Sequence, residues 1–95
     1  MASLVRSTAD WEAELGRRIR ATRKQRKLSQ QELADKSNVS RSAIKYIEAG
    51  NGSSLATFLN VVRALGLESD LEKIFTPVSS ISPLAILEAT RKANG

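Results

Sequence analysis

Apolar residues recur at helical spacing through most of the chain, and polar punctuation divides them into separate helices. Trp11, Leu15, Ile19 and Thr22 fall three or four residues apart, which predicts a first helix near residues 11–26 with one buried stripe. Asp10 or Thr8 is placed to cap it. Residues 1–9 show no periodicity and are expected to form a flexible N-terminal arm. Leu28 leads into the stretch Ser29 to Glu48, SQQELADKSNVSRSAIKYIE. Ser29 and Glu32 stand at capping-box spacing, and Leu33 and Ala34 supply the apolar side of a second helix. Asn38 marks a sharp turn, because Asn tolerates a left-handed backbone better than most residues with a side chain. Val39 then points inward, and Ser40 caps a third helix with Ile44 and Ile47 on its inner side.

Gly and Asn in the run 49–54 end the third helix, and a Ser caps the next. Leu55, Phe58, Leu59, Val62 and Leu65 predict a fourth helix that stops at Gly66, after which Leu67 returns to the core. Ser69 and Glu72 repeat the capping-box spacing, and Leu71, Ile74 and Phe75 define a short fifth helix. TPVSSIS, residues 76–82, is a linker. Ser82-Pro83 then opens a candidate sixth helix over 83–93, carrying Leu84, Ala85, Ile86 and Leu87. The expected architecture is all-α: a five-helix helix-turn-helix domain over residues 10–75, with the arm before it. The C-terminal tail, 76–95, is a segment for dimerisation or partner binding.

The unit from Ser29 to Glu48 is a helix, a tight turn and a second helix whose outer face is polar. Arg41, Ser42, Lys45 and Tyr46 make up that face. This is the organisation of DNA-reading helix-turn-helix units. Charge supports it. The formal net charge is +5, and seven Lys/Arg with no acid lie between Arg17 and Lys27. A basic run alone also fits a solvated helix face; beside a helix-turn-helix it suits a polyanion partner. Composition narrows the chemistry. The chain has no Cys and no His, so it lacks a thiol nucleophile, a zinc finger and the commonest metal ligand and general base. It has no Gly-rich phosphate loop, and Glu68, Asp70 and Glu72 read as helix-start acids. No enzyme, cofactor or metal site is expected. No apolar run reaches the roughly 18 residues that span a bilayer. With no signal-peptide core either, a cytoplasmic location is expected.

The residues LGRRIRATRKQRKLSQQELADKSNVSRSAIKYIEAGN, followed by FLNVVRALGL, resemble the repressor/Cro-like (Xre) helix-turn-helix family over roughly Leu15 to Phe75. The family implies roles for the matching positions. Arg41, Ser42, Lys45 and Tyr46 correspond to residues that meet base edges and flanking phosphates in the major groove, with Arg41 suited to guanine. Gln30 corresponds to a Gln that bonds a phosphate at the start of the second helix, where the backbone N–H groups also favour an anion. Asn51, Ser53 and Ser54 resemble a second phosphate clamp, and Arg17, Lys24 and Ser40 join the phosphate-binding set. Arg23 and Glu48 match an internal ion pair between the first helix and the end of the third.

More narrowly, SSLATFLNVVRALGLESDLEKIF with a Pro- and Ser-containing tail looks like the HipB-like antitoxin branch. The functional expectation is a sequence-specific regulator of double-stranded DNA, a dimeric and autoregulatory repressor. The alternative is an antitoxin that also holds a HipA-like kinase toxin. One recognition helix reads few base pairs, and two copies about one DNA turn apart read a palindromic operator. Leu71, Ile74, Phe75, Ile81, Leu84 and Leu87 exceed what a small core needs and are expected at a homodimer interface.

Overall fold

Four serines start the first four helices, and one kind of turn ends all of them. The computed structural model describes residues 6–75. Ser7 caps α1 (Thr8–Gln25), Ser29 caps α2 (Gln30–Ser37), Ser40 caps α3 (Arg41–Glu48) and Ser54 caps α4 (Leu55–Ala64). Each hydroxyl oxygen accepts a backbone N–H from the third helical residue, a donor that otherwise has no intrahelical acceptor. Ser7 and Ser29 are reciprocated. The carboxylates of Asp10 and Glu32 accept the backbone N–H of their own capping serines at 3.1 and 2.8 Å. Those hydrogen bonds hold both acids below the usual carboxylate range.

At the other end of each helix one residue takes a left-handed backbone: Lys27 (φ 57°), Asn38 (φ 55°), Gly50 (φ 87°) and Gly66 (φ 75°). The following N–H then reaches back to a carbonyl in the last turn, in the pairs Leu28→Arg23, Val39→Ala34, Asn51→Tyr46 and Leu67→Val62, at 3.0–3.1 Å. This is the Schellman geometry. Leu28, Val39 and Leu67 pack against the core as a result. The same local turn therefore returns the chain to the interior three times.

The core consists of Ile19, Leu33, Ala34, Ile44, Ile47, Val61 and Leu65. α2 packs on α3 and α4, and α1 packs on α3. The approach of α1 to α3 is close. A Cβ at Gly16 would collide with the Ile47 carbonyl oxygen, so only glycine fits there. No helix among the described residues is long and apolar enough to cross a membrane.

The structure corrects several expectations. α1 begins at Thr8 rather than Trp11, because Ser7 and Asp10 close the capping box one turn earlier than expected. Thr8 and Ala9 therefore belong to the helix rather than to an arm. Trp11 is 43% exposed and leaves the stripe, with the Arg6 guanidinium 4.8 Å from its ring centroid. In α4, Leu55 is 71% exposed and Val61 is fully buried. Seven of the ten positions of this helix are apolar, with Thr57, Asn60 and Arg63 as its polar side, so the pattern left several apolar positions competing for the centre of the inward face. The fifth helix, α5, runs only Glu68–Leu71. Its N-cap is Leu67, with no side-chain bond, and the Ser69–Glu72 box does not form. Leu67 is already held by the turn after α4, which starts the helix too early for Ser69 to cap it. Ile74 and Phe75 follow the helix and are exposed. The linker, the candidate sixth helix and Ile81, Leu84 and Leu87 lie outside the described residues.

Candidate nucleic-acid interface

α3 presents its outer face to solvent along its full length. Arg41, Ser42, Lys45 and Tyr46 are all exposed, while Ile44 and Ile47 on the opposite side are buried. Arg41 and Lys45 have no ionic partner among the described residues. The helix is thus a ridge anchored by two isoleucines and topped by uncommitted polar groups.

A shallow recess lies on each side of this ridge. One, of about 560 Å³, is bounded by Arg20, Ser29, Gln30 and Lys45, with Arg23 and Glu48 at its base. The other, of about 360 Å³, is bounded by Ser42, Tyr46, Ser53, Ser54 and Thr57. The first lies at the N-terminus of α2 and the second at the N-terminus of α4. Both helix starts present backbone N–H groups and the positive end of a helix dipole.

The base of the first recess is a locked polar network. Arg23 donates from Nε and Nη2 to both oxygens of Glu48, at 2.6 and 2.9 Å, and from Nη1 to the Leu28 carbonyl oxygen at 2.8 Å. The two side chains retain only 9% and 4% of their exposure. No buried polar side-chain atom among the described residues lacks a partner. The Glu48 carboxylate keeps Arg23 more firmly protonated than a free guanidinium. Gln30 Nε2 donates to Glu48 Oε1 at 3.2 Å, so the Gln30 amide is oriented by the ion pair beneath it. An amide nitrogen carries two donors, and one remains for a ligand.

The other residues assigned to phosphate divide into two groups. Ser53 and Ser54 line the second recess together with Ser42 and Tyr46. Ser53 Oγ donates to the Ser54 carbonyl oxygen at 2.7 Å, and Ser54 Oγ donates to Thr57 Oγ1 at 3.0 Å. Ser40 and Asn51 are exposed at the two ends of α3, where Ser40 Oγ is occupied as the cap. Lys24 is exposed without an ionic partner, and it lines neither recess. Arg17 is exposed and lines neither recess. It donates to Glu14 Oε1, while Arg18 Nε donates to Glu14 Oε2 at 2.8 Å. These two hydrogen bonds pull the Glu14 carboxyl down to about 2.

The structure also adds Arg20, one of the seven Lys/Arg between Arg17 and Lys27. It lies three residues before Arg23, on the same side of α1, and borders the first recess beside Gln30 and Lys45. Its signal was the helical spacing from Arg23. Gly16 was missed as well; nothing but the proximity of α3 gives it a role.

Comparison with known proteins agrees with this geometry. The family model described as helix-turn-helix matches residues 19–71, from the middle of α1 to the end of α5. The immunity repressor protein of Bacillus phage phi105 is 47% identical over 55 residues, which cover 57% of this chain and 38% of that protein. The matched stretch thus spans well under half the length of this relative. The family match covers more than half of the chain and coincides with the helices that build the ridge and its recesses, and on that ground the chain belongs to the repressor/Cro-like helix-turn-helix family.

Proposed function

We propose that this protein is a DNA-binding transcriptional repressor that lays α3 in the major groove of a double-stranded operator. One observation carries the reading: an exposed helix face bearing Arg41, Ser42, Lys45 and Tyr46 is flanked on both sides by recesses at helix N-termini. A major groove is bordered by two phosphate rows, and this arrangement offers a base-reading ridge with a phosphate seat on either side. Gln30, Arg20 and Lys45 serve one row, with Lys24 further along α1. Ser53 and Ser54 serve the other, with Ser40 and Asn51 nearby. Arg41 is the residue for direct readout, since its planar fork pairs with guanine O6 and N7. Occupying a promoter excludes polymerase without any chemistry, and the name of the phage relative favours repression.

We further propose that the protein acts as a homodimer on a palindromic site upstream of its own gene. Ile74 and Phe75, exposed at the end of the described chain, are available to a second copy. The antitoxin alternative, with a HipA-like partner, rests on sequence resemblance alone and is left out of the proposal.

Footprinting on the DNA upstream of the gene tests the reading. Protection of two half-sites about one helical turn apart, lost steeply between low and moderate salt, is the expected result. Arg41→Ala should weaken specific binding by roughly 1–3 kcal/mol and relax one base position, whereas Gln30→Ala should weaken all sequences alike. Equal losses on operator and random DNA for Arg41→Ala would remove it from the readout set.

A further inference from the structure

α1 and α4 commit their best-packed faces to α3 and α2 respectively, and the seam between α1 and α4 stays open. An apolar recess of about 320 Å³ fills that seam, walled by Leu15, Ile19, Phe58, Val62, Leu67 and Leu71. Leu15 and Phe58 also line a second recess of about 330 Å³ that continues to Leu55. Together the two make one groove. The charged rim of the seam recess is already satisfied, since Arg18 pairs with Glu14 and Asp70 lies 4.0 Å from Lys73. The groove therefore calls for aliphatic groups rather than an ion.

α5 is a single turn and leaves the groove uncovered, and the described chain ends at its wall, with Ile74 at the edge. After seven intervening residues come Pro83 and Leu84-Ala85-Ile86-Leu87. We propose that Leu84 and Leu87 of the same copy occupy this groove, so that the C-terminal tail completes the domain that α5 leaves unfinished. The two leucines are three apart, the spacing that puts side chains on one side wherever a chain is helical. Residues 76–82 reach at most roughly 25 Å, enough to turn back along the seam. A tether this short presents its own leucines at an effective concentration near millimolar, which a separate copy does not match. A recess of this size holds a few aliphatic side chains, whereas a subunit interface needs roughly 800 Å² from each partner. Phe75, 94% exposed, stays outside the groove and remains free for a second copy. The inference goes beyond operator reading and does not depend on it.

The absence of cysteine permits a clean test. A spin label on the full-length Thr90→Cys variant should bleach most of the methyl signal of Leu15, Val62, Leu67 and Leu71 within the labelled copy. In a mixture of spin-labelled copies without isotope and isotope-labelled copies without spin label, the same methyls should keep their intensity. Bleaching across copies would overturn the proposal in favour of a second copy's tail, and no bleaching in either sample would overturn it outright. Adding Leu84→Ser and Leu87→Ser to the spin-labelled chain should restore the methyl intensities. Persistent bleaching would show that these leucines do not hold the tail in place.

Discussion

α1 carries two arginine–glutamate clusters little more than a turn apart, built from the same residue types and opposite in physical character. In the first, Glu14 meets Arg17 and Arg18 across one turn of the same helix, at the surface, with both arginines well exposed. In the second, Arg23 meets Glu48, 25 positions away, almost wholly buried, with each guanidinium nitrogen and each carboxylate oxygen engaged. The exposed cluster shifts a carboxyl strongly and still has little hold on the fold, because water replaces its hydrogen bonds on opening. The buried pair contributes more structure. It ties α1 to the end of α3 and orients Gln30, so scaffold and reader share one set of hydrogen bonds. A displaced carboxyl therefore measures local hydrogen bonding, while distance along the chain and burial decide what a pair does for the fold.

Truncating the buried pair is the strongest way to break this comparison. Glu48→Ala leaves Arg23 buried without its counter-charge and should cost roughly 3–5 kcal/mol in chemical denaturation. The double change Arg23→Met, Glu48→Leu should recover much of that loss while still weakening DNA binding through the released Gln30. A loss below about 1 kcal/mol for Glu48→Ala would put the pair in the same class as the exposed cluster. Next in size is Gly16→Ala, which thrusts a methyl at the Ile47 carbonyl oxygen in the joint that the buried pair closes. A loss of roughly 1–3 kcal/mol is expected from such overpacking. An unchanged melting temperature would mean that α1 can slide without disturbing the core.

Smaller effects sharpen the contrast. Lys27 holds a left-handed turn that favours glycine, so Lys27→Gly should raise stability by about 0.5–1 kcal/mol, read as an upward shift in melting temperature. The smallest change belongs to the exposed cluster. The Glu14 carboxyl is depressed to about 2, so any stability it adds is present above its unfolded-state value and is lost as pH falls toward 2. Glu14→Gln should barely move the melting temperature at pH 7. What difference it makes should vanish near pH 2 or in high salt. A large loss at pH 7 that survives high salt would contradict the contrast.

Much of the domain was legible because its decisive interactions are short. Ser29 with Glu32, Ser40, Asn38, Gly50 and Gly66 act through hydrogen bonds that span only a few residues, so the chain around them announces them. Lys27 was not legible as a turn residue, because lysine is no ordinary occupant of a left-handed backbone and is held there by the return of Leu28 to the core. The inward face of α4 was not legible either. With seven apolar residues in ten, the docking of α4 on α2 places Val61 inside and leaves Leu55 outside. The basic run of α1 reads as uniform along the chain. In space it divides into Arg17 and Arg18, sharing the single charge of Glu14, Arg23, buried on Glu48, and Arg20 and Lys24, outside any ion pair among the described residues.

The amino-acid order by itself determined where most of the helices begin and end, that α3 has a polar outer face, and which side of α3 is apolar. Capping, turn geometry and periodicity operate within one or two turns and need no partner. The tertiary structure alone decided which cations stay uncommitted beside α3, that Gly16 must lack a side chain, that Gln30 is held by Glu48, and that a groove remains open between α1 and α4. Each of these depends on atoms brought together from far along the chain, and they exist only once the helices have docked.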